Sequence, residues 1–169
     1  MQQILVSMTE PTDFAARPLD GFDRAILRIL QRDNKTPQRT IAAQVNLSAA
    51  AVQRRIAAME DAGVIAANVA LVDPDALSQT ITAIVEIHLK DERARTVDSA
   101  KALFQATPEV QQCYYVTGGV SFVLIIVAPD MRAYERLTRR LFAENELVDR
   151  FRSLIALDRV KADSSIVIP

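Results

Sequence analysis

The sequence predicts an α+β protein: a helical N-terminal head, then a domain whose elements run strand, helix, strand, strand, helix, strand. Three observations predict it. Apolar residues recur at helical spacing between Leu19 and Met59. After Gly63 the pattern changes to strand period. Apolar strands then bracket two amphipathic helical stretches up to residue 160.

The first eighteen residues contain Pro11 and Pro18 without sustained periodicity and read as an N-terminal extension, 1–18. The first helix starts abruptly at Leu19-Asp20. Asp20 can cap it, with Asp23 three residues on as the partner of a capping box. Phe22, Ile26, Ile29 and Leu30 form its apolar face, and it ends near Arg32. Thr36-Pro37 signals a second start, with Thr36 as cap and Pro37 at the first helical position, and Ile41 and Val45 facing inward. Asn46 tolerates the left-handed conformation that ends a helix, and Leu47 fills the inside of the turn. Ser48 caps the third helix, which buries Val52, Ile56 and Met59 and stops at Gly63. Together these make a domain over 19–65.

Val64-Ile65 and Val69 to Val72, followed by the turn signal Asp73-Pro74-Asp75, predict an extended β linker over 66–79. Residues 80–90 alternate, with Ile81, Ala83, Val85, Ile87 and Leu89 on one face and Thr82, Glu86, His88 and Lys90 on the other. A helix with Val97, Ala100, Leu103 and Phe104 inward stops at Thr107-Pro108. A strand from Val110 to Thr117, the hairpin signal Gly118-Gly119 and the apolar strand Phe122 to Val127 follow. Pro129-Asp130 opens a helix with Tyr134, Leu137 and Leu141 inward, and a strand from about Phe151 to Val160 closes the fold. This split βαβ order is the ferredoxin-like one, with both helices on one face of a four-stranded antiparallel sheet over 80–161 and a tail over 162–169. Ile84 and the unbroken Phe122 strand leave the other face apolar enough to expect a second subunit there.

Composition excludes most catalysis. Half of the 169 residues are apolar and 24% are charged, which fits a folded domain and not a disordered one. The longest apolar run, Phe122 to Ala128, is far short of the ~18 residues a membrane span needs, and no basic, apolar leader opens the chain, so the cytoplasm is the expected compartment. One cysteine, Cys113, and one histidine, His88, cannot form a metal or imidazole cluster, and no nucleophile–base pair or phosphate loop is evident. No catalytic residue, metal or cofactor is expected. His88 reads as an exposed strand histidine and Cys113 as a half-buried strand residue. The net charge of −1 is uneven: residues 17–66 carry eight basic and five acidic side chains. That balance points to a polyanion partner for the head.

Two helices joined by the three residues Asn46-Leu47-Ser48 form a helix-turn-helix, and the third helix turns Gln53, Arg54 and Arg55 away from its apolar face. Small Ala49 and Ala50 beside Ser48 permit close approach to a groove, while Gln and Arg can read bases or hold phosphates. The predicted double-stranded DNA contacts are Ser48, Ala49, Ala50, Gln53, Arg54 and Arg55 in the groove, with Gln38, Arg39 and Thr40 near the backbone phosphates.

LDGFDRAILRIL (19–30), IAAQVNLSAAAVQRRIAAMEDAGVI (41–65), ALVDPDAL (70–77) and YVTGGVSFVLIIV (115–127), in this order and spacing, resemble the Lrp/AsnC (leucine-responsive, or feast–famine) transcriptional regulators. The resemblance covers roughly residues 19–161. It implies a winged-type helix-turn-helix, a β linker and a ferredoxin-like effector and assembly domain. It also implies dimers that associate to tetramers or octamers, with a small effector, an amino acid or related metabolite, bound between dimers. The implied effector segment is Thr117, Gly118, Gly119, Val120 and Ser121. Here Ser121 stands where the family usually has Asp, which bears on recognition of an ammonium group. Asn46 stands where Gly is usual, and Ala49 or Ala50 where Pro is usual. The alternatives are an effector-independent architectural protein that wraps DNA, and a metabolic regulatory subunit or enzyme.

Overall fold

The computed structural model describes residues 18–169 and divides into two compact units: residues up to Ala70 together with Asp163–Pro169, and Leu71–Ala162. The expectation for the N-terminal extension lies, except for Pro18, outside the described residues. No helix among the described residues is long and apolar enough to cross a membrane.

The first unit is built on three helices, α1 (Gly21–Arg32), α2 (Gln38–Val45) and α3 (Ala49–Asp61). Asp20 caps α1 through a complete capping box with Asp23, so both carboxylates take up orphan N–H groups of the first turn. Ile26, Ile41, Val45, Val52 and Met59 form the buried core, with Leu47 and Ile56 packed on it. Phe22 departs from the expected apolar face of α1 and is 44% exposed. Helix α2 starts one residue later than predicted. Pro37 occupies the cap position without a side-chain bond, and the Thr36 hydroxyl instead donates to the Asp33 carbonyl.

Asn46 adopts the left-handed conformation at φ 55°, and the N–H groups of Asn46 and Leu47 both reach the Ala42 carbonyl. A β-branched residue pays the steric cost of this conformation whereas glycine does not. Asn46→Val is therefore expected to lower the stability of the head by about 1–2 kcal/mol, with Asn46→Gly unchanged or slightly stabilised. Urea denaturation of the two variants checks this. Ser48 caps α3 by accepting the Ala51 N–H at 3.2 Å, and Gly63 at φ +72° ends it while the Ile65 N–H returns to the Met59 carbonyl.

Beyond Gly63, residues 64–74 contain no strand within this subunit, and the regular element between α3 and residue 81 is a 3-10 turn at Asp75–Leu77. The apolar alternation is present, but no partner strand is available to it, so Val69, Leu71 and Val72 remain exposed. The C-terminal residues return to the first unit. Arg28 donates to the carbonyls of Ile168 and Pro169, and Gln31 both donates to and accepts from the Ile166 backbone.

The second unit is one antiparallel sheet of β1 (Ile81–Leu89), β2 (Val110–Tyr115), β3 (Phe122–Ala128) and β4 (Val148–Ile155), in the order β2-β3-β1-β4. Helices α4 (Ala94–Gln105) and α5 (Met131–Thr138) supply Val97, Ala100, Phe104, Tyr134 and Leu137 to the core over Val85, Ile87, Phe122, Leu124 and Ile126. This is the predicted ferredoxin-like arrangement. Helix α5 runs on into a π-helical turn, Arg139–Ala143, whose Glu144 N–H reaches back to the Arg139 carbonyl. The turn keeps Leu141 and Phe142 in the core.

Strand β4 lies earlier than the predicted 151–160. The Asn145 side chain accepts the Leu147 N–H, turning the chain at once, so that buried Val148 pairs with Leu89. On the sheet face away from the helices, Ile84 pairs with Ile125 on one side and Leu154 on the other, an apolar row at the sheet centre. Beside it the Arg152 guanidinium donates to Glu86 at 2.8 Å and holds that carboxyl below its ordinary range.

Candidate functional site

Helix α3 presents two unlike faces. Val52 and Met59 are buried and Ile56 is half-buried, while Ala49, Ala50, Gln53, Arg54 and Ala57 follow one another along the exposed side. That spacing, successive residues plus every fourth, is one stripe of a helix. Gln53 and Arg54 have no hydrogen bond or ion pair among the described residues, so their donors are available to a ligand. Ser48 and its neighbours Ala49 and Ala50 stand exposed at the N-terminal end of the same stripe. Gln38, Arg39 and Thr40, in the first turn of α2, are also exposed.

Arg55, predicted to reach the groove, points elsewhere. Its Nη1 lies 2.7 Å from Asp23 Oδ1 and 2.8 Å from Asp20 Oδ2, and its guanidinium sits 5.4 Å from the centre of the Phe22 ring. The Asp23 side chain is wholly buried, so an uncompensated charge there would be costly, and Arg55 contributes to the compensation. Hydrogen bonds to Asp23 first and Asp20 second raise the guanidinium above its ordinary value. Arg55 thus pins α3 to the start of α1, and Phe22 is exposed because it forms the outer wall of this contact.

A second concave feature lies in the sheet unit, where the loop between β2 and β3 faces the loop between β1 and α4. A cleft of about 400 Å³ opens there, lined by His88, Leu89, Glu92, Tyr115, Val116 and the segment Gly118–Ser121. Gly118 and Gly119 adopt φ of 108° and 98°, which admits glycine far more readily than any side chain. Ser121 is 4% exposed. Its hydroxyl donates to Glu92 Oε1 at 2.5 Å and accepts the Leu89 N–H at 3.0 Å. The Tyr115 hydroxyl donates to Glu92 Oε2 at 3.0 Å, and this bond to a carboxylate raises the phenol above its ordinary value. Among the described residues no group of three or more His, Cys, Asp or Glu is placed to hold a metal. Cys113, expected to be half-buried, is exposed on β2; partial desolvation of its thiol still pushes it up to about 11, leaving it protonated at neutral pH.

The AsnC-type helix-turn-helix domain matches residues 19–60, and the Lrp/AsnC ligand binding domain matches residues 82–166. The chain belongs to the Lrp/AsnC family. It is a transcriptional regulator of that type, with a DNA-binding head and a ligand-binding domain. An uncharacterized HTH-type transcriptional regulator of Sinorhizobium fredii is 40% identical over 99% of both chains. The crystal structure of an AsnC family transcriptional regulator from Agrobacterium tumefaciens superposes with a TM-score of 0.82 at 32% identity, covering 88% of this chain and 97% of that one. A feast or famine regulatory protein of M. tuberculosis, crystallised with L-methionine, gives 0.78 at 30% identity, covering 90% of this chain and all of the other.

Of the segment that the resemblance singled out in this Lrp/AsnC chain, Gly118, Gly119, Val120 and Ser121 line the cleft and Thr117 does not. Five further residues line it: His88, Leu89, Glu92, Tyr115 and Val116. His88, expected to be exposed on its strand, is half-buried at the cleft end of β1. Glu92 belongs to the charged run Lys90-Asp91-Glu92-Arg93, which looks like any solvated loop. Only the fold brings it to Ser121.

Proposed function

We propose that this Lrp/AsnC regulator binds promoter DNA through the exposed stripe of α3. Ser48, Ala49, Ala50, Gln53 and Arg54 enter the major groove, and Gln38, Arg39 and Thr40 approach the flanking phosphates. The observation that carries the reading is that Gln53 and Arg54 stand exposed and unpartnered among the described residues while Arg55 is consumed inside the head. Gln can meet adenine and Arg can meet guanine in bidentate fashion, and the alanines let the backbone come close. Ser48 still has its hydroxyl hydrogen to give to a phosphate, since its oxygen accepts from Ala51.

A second copy of the chain covers the outer sheet face around Ile84, Ile125 and Leu154, and the dimers associate further to tetramers or octamers. Supporting this are that unbroken apolar row and the exposed Val69, Leu71 and Val72. Two α3 helices then meet major grooves about one turn (~34 Å) apart on a near-palindromic site. The cleft at Gly118–Ser121 takes an amino acid or related metabolite between dimers, a reading supported by the L-methionine complex of the M. tuberculosis relative. The ligand alters DNA binding to the extent that the assembly states hold it unequally. The protein acts in the cytoplasm and is not an enzyme.

Arg54→Ala is the direct test. It is expected to weaken binding to the protein's own promoter by at least about tenfold, from loss of one bidentate contact, at constant oligomer mass. Anisotropy titration at fixed salt measures the affinity and light scattering the mass. Full affinity with unaltered sequence preference would remove Arg54 from the interface. A long, weakly specific footprint indifferent to amino acids would instead identify a DNA-wrapping protein without effector control.

A further inference from the structure

We propose that Glu92 is the residue that reads the positive charge of a ligand in the cleft, so that the site selects a small molecule bearing a primary ammonium group. The inference rests on the effector reading above and adds to it the group that recognises the ligand. Among the side chains lining the cleft, Glu92 is the sole carboxylate, and no Lys or Arg joins it. Its two oxygens are held from different elements: Oε1 by the Ser121 hydroxyl and Oε2 by the Tyr115 hydroxyl. A carboxylate oxygen accepts from more than one donor, so each keeps a lone pair for an incoming N–H while its orientation is already set. A preoriented carboxylate binds ammonium through charge-assisted hydrogen bonds, roughly twice as strong as neutral ones.

Ser121 has no charge to offer an ammonium group. Its hydrogen is given to Glu92 and one of its two lone pairs takes the Leu89 N–H, so it is a positioning residue. The chain lacks an acid at position 121 and brings one to the same spot from the β1–α4 loop. The cleft's volume, about 400 Å³, suits a molecule the size of a single amino acid.

The test is calorimetric titration of the full-length protein with the twenty standard L-amino acids and with the N-acetyl form of each that binds. For wild type, acetylation is expected to cost at least about tenfold in affinity, the worth of a charge-assisted hydrogen bond. Glu92→Gln should lose a similar factor for the free amino acid and little for its N-acetyl form, so the preference collapses. Glu92→Asp should keep the preference for the free amine. If Glu92→Gln still prefers the free amine by the wild-type factor, Glu92 merely pins its loop and the proposal is overturned, while the effector reading survives. If no amino acid binds wild type, the effector reading fails and takes this proposal with it.

Discussion

Replacing Arg55 by alanine is expected to lower the stability of the helical head by roughly 2 kcal/mol while leaving the exposed stripe of α3 chemically intact. The reason lies in Asp23, whose side chain has no solvent exposure and meets the Arg55 guanidinium at 2.7 Å. Removing one partner of a buried pair typically costs ~3–5 kcal/mol, since the charge that stays behind loses a compensating neighbour. Arg55 itself keeps 23% exposure and Asp20 keeps 37%, so water offsets part of the loss and the lower figure is appropriate. The Asp23 carboxylate would still accept the Asp20 N–H, which limits the damage further. A lower urea midpoint, with faster amide exchange in α1 and α3 and unchanged exchange in the sheet, is the expected signature. Arg55→Lys should recover part of the loss, because it restores the charge but not the shared contact with both carboxylates. Unchanged stability together with lost DNA binding would return Arg55 to the groove and refute this account.

Adjacent arginines with opposite duties show where sequence reading reaches its range. Periodicity is local, so it separates the apolar stripe of α3 from the rest, and the caps at Asp20 and Ser48, the left-handed Asn46 and the strand alternation of β1 all follow from neighbours within a few residues. Position 55 lies at the edge of the apolar stripe, where a helix wheel permits either outcome. What decides it is Asp23, more than thirty positions earlier and itself legible only as part of a capping box. The same limit hid Glu92, whose acceptor role depends on two hydroxyls from β2 and the loop that follows it. The β4 shift has a local cause, the Asn145 turn, that hydrophobic patterning overlooks because Asn145 carries no apolar signal. The linker is the reverse case: a strand-like pattern without a strand, because a strand requires a partner.

Ser121→Asp should expose the logic of the cleft most sharply. The substitution installs the acid that the family usually carries at this position, yet here it would set a second carboxylate against Glu92, to which the Ser121 hydroxyl now donates at 2.5 Å. At 4% exposure there is little water to screen the pair. The expected loss at neutral pH is about 2–4 kcal/mol, combining a buried charge with like-charge repulsion. The sign of its pH dependence follows. Crowding raises a carboxyl's pKa in the folded state, so the native protein binds more protons than the unfolded chain and stability falls as pH rises through the raised value. Lowering the pH toward the ordinary carboxylate range, ~4, should recover much of the loss. In the double variant Ser121→Asp, Glu92→Gln the repulsion is gone and the Gln amide can donate to the new carboxylate. The two changes should therefore be coupled by more than ~1 kcal/mol. Additive effects in a urea-denaturation cycle would mean that the two side chains do not meet in solution, and would remove the geometric basis for assigning charge recognition to Glu92.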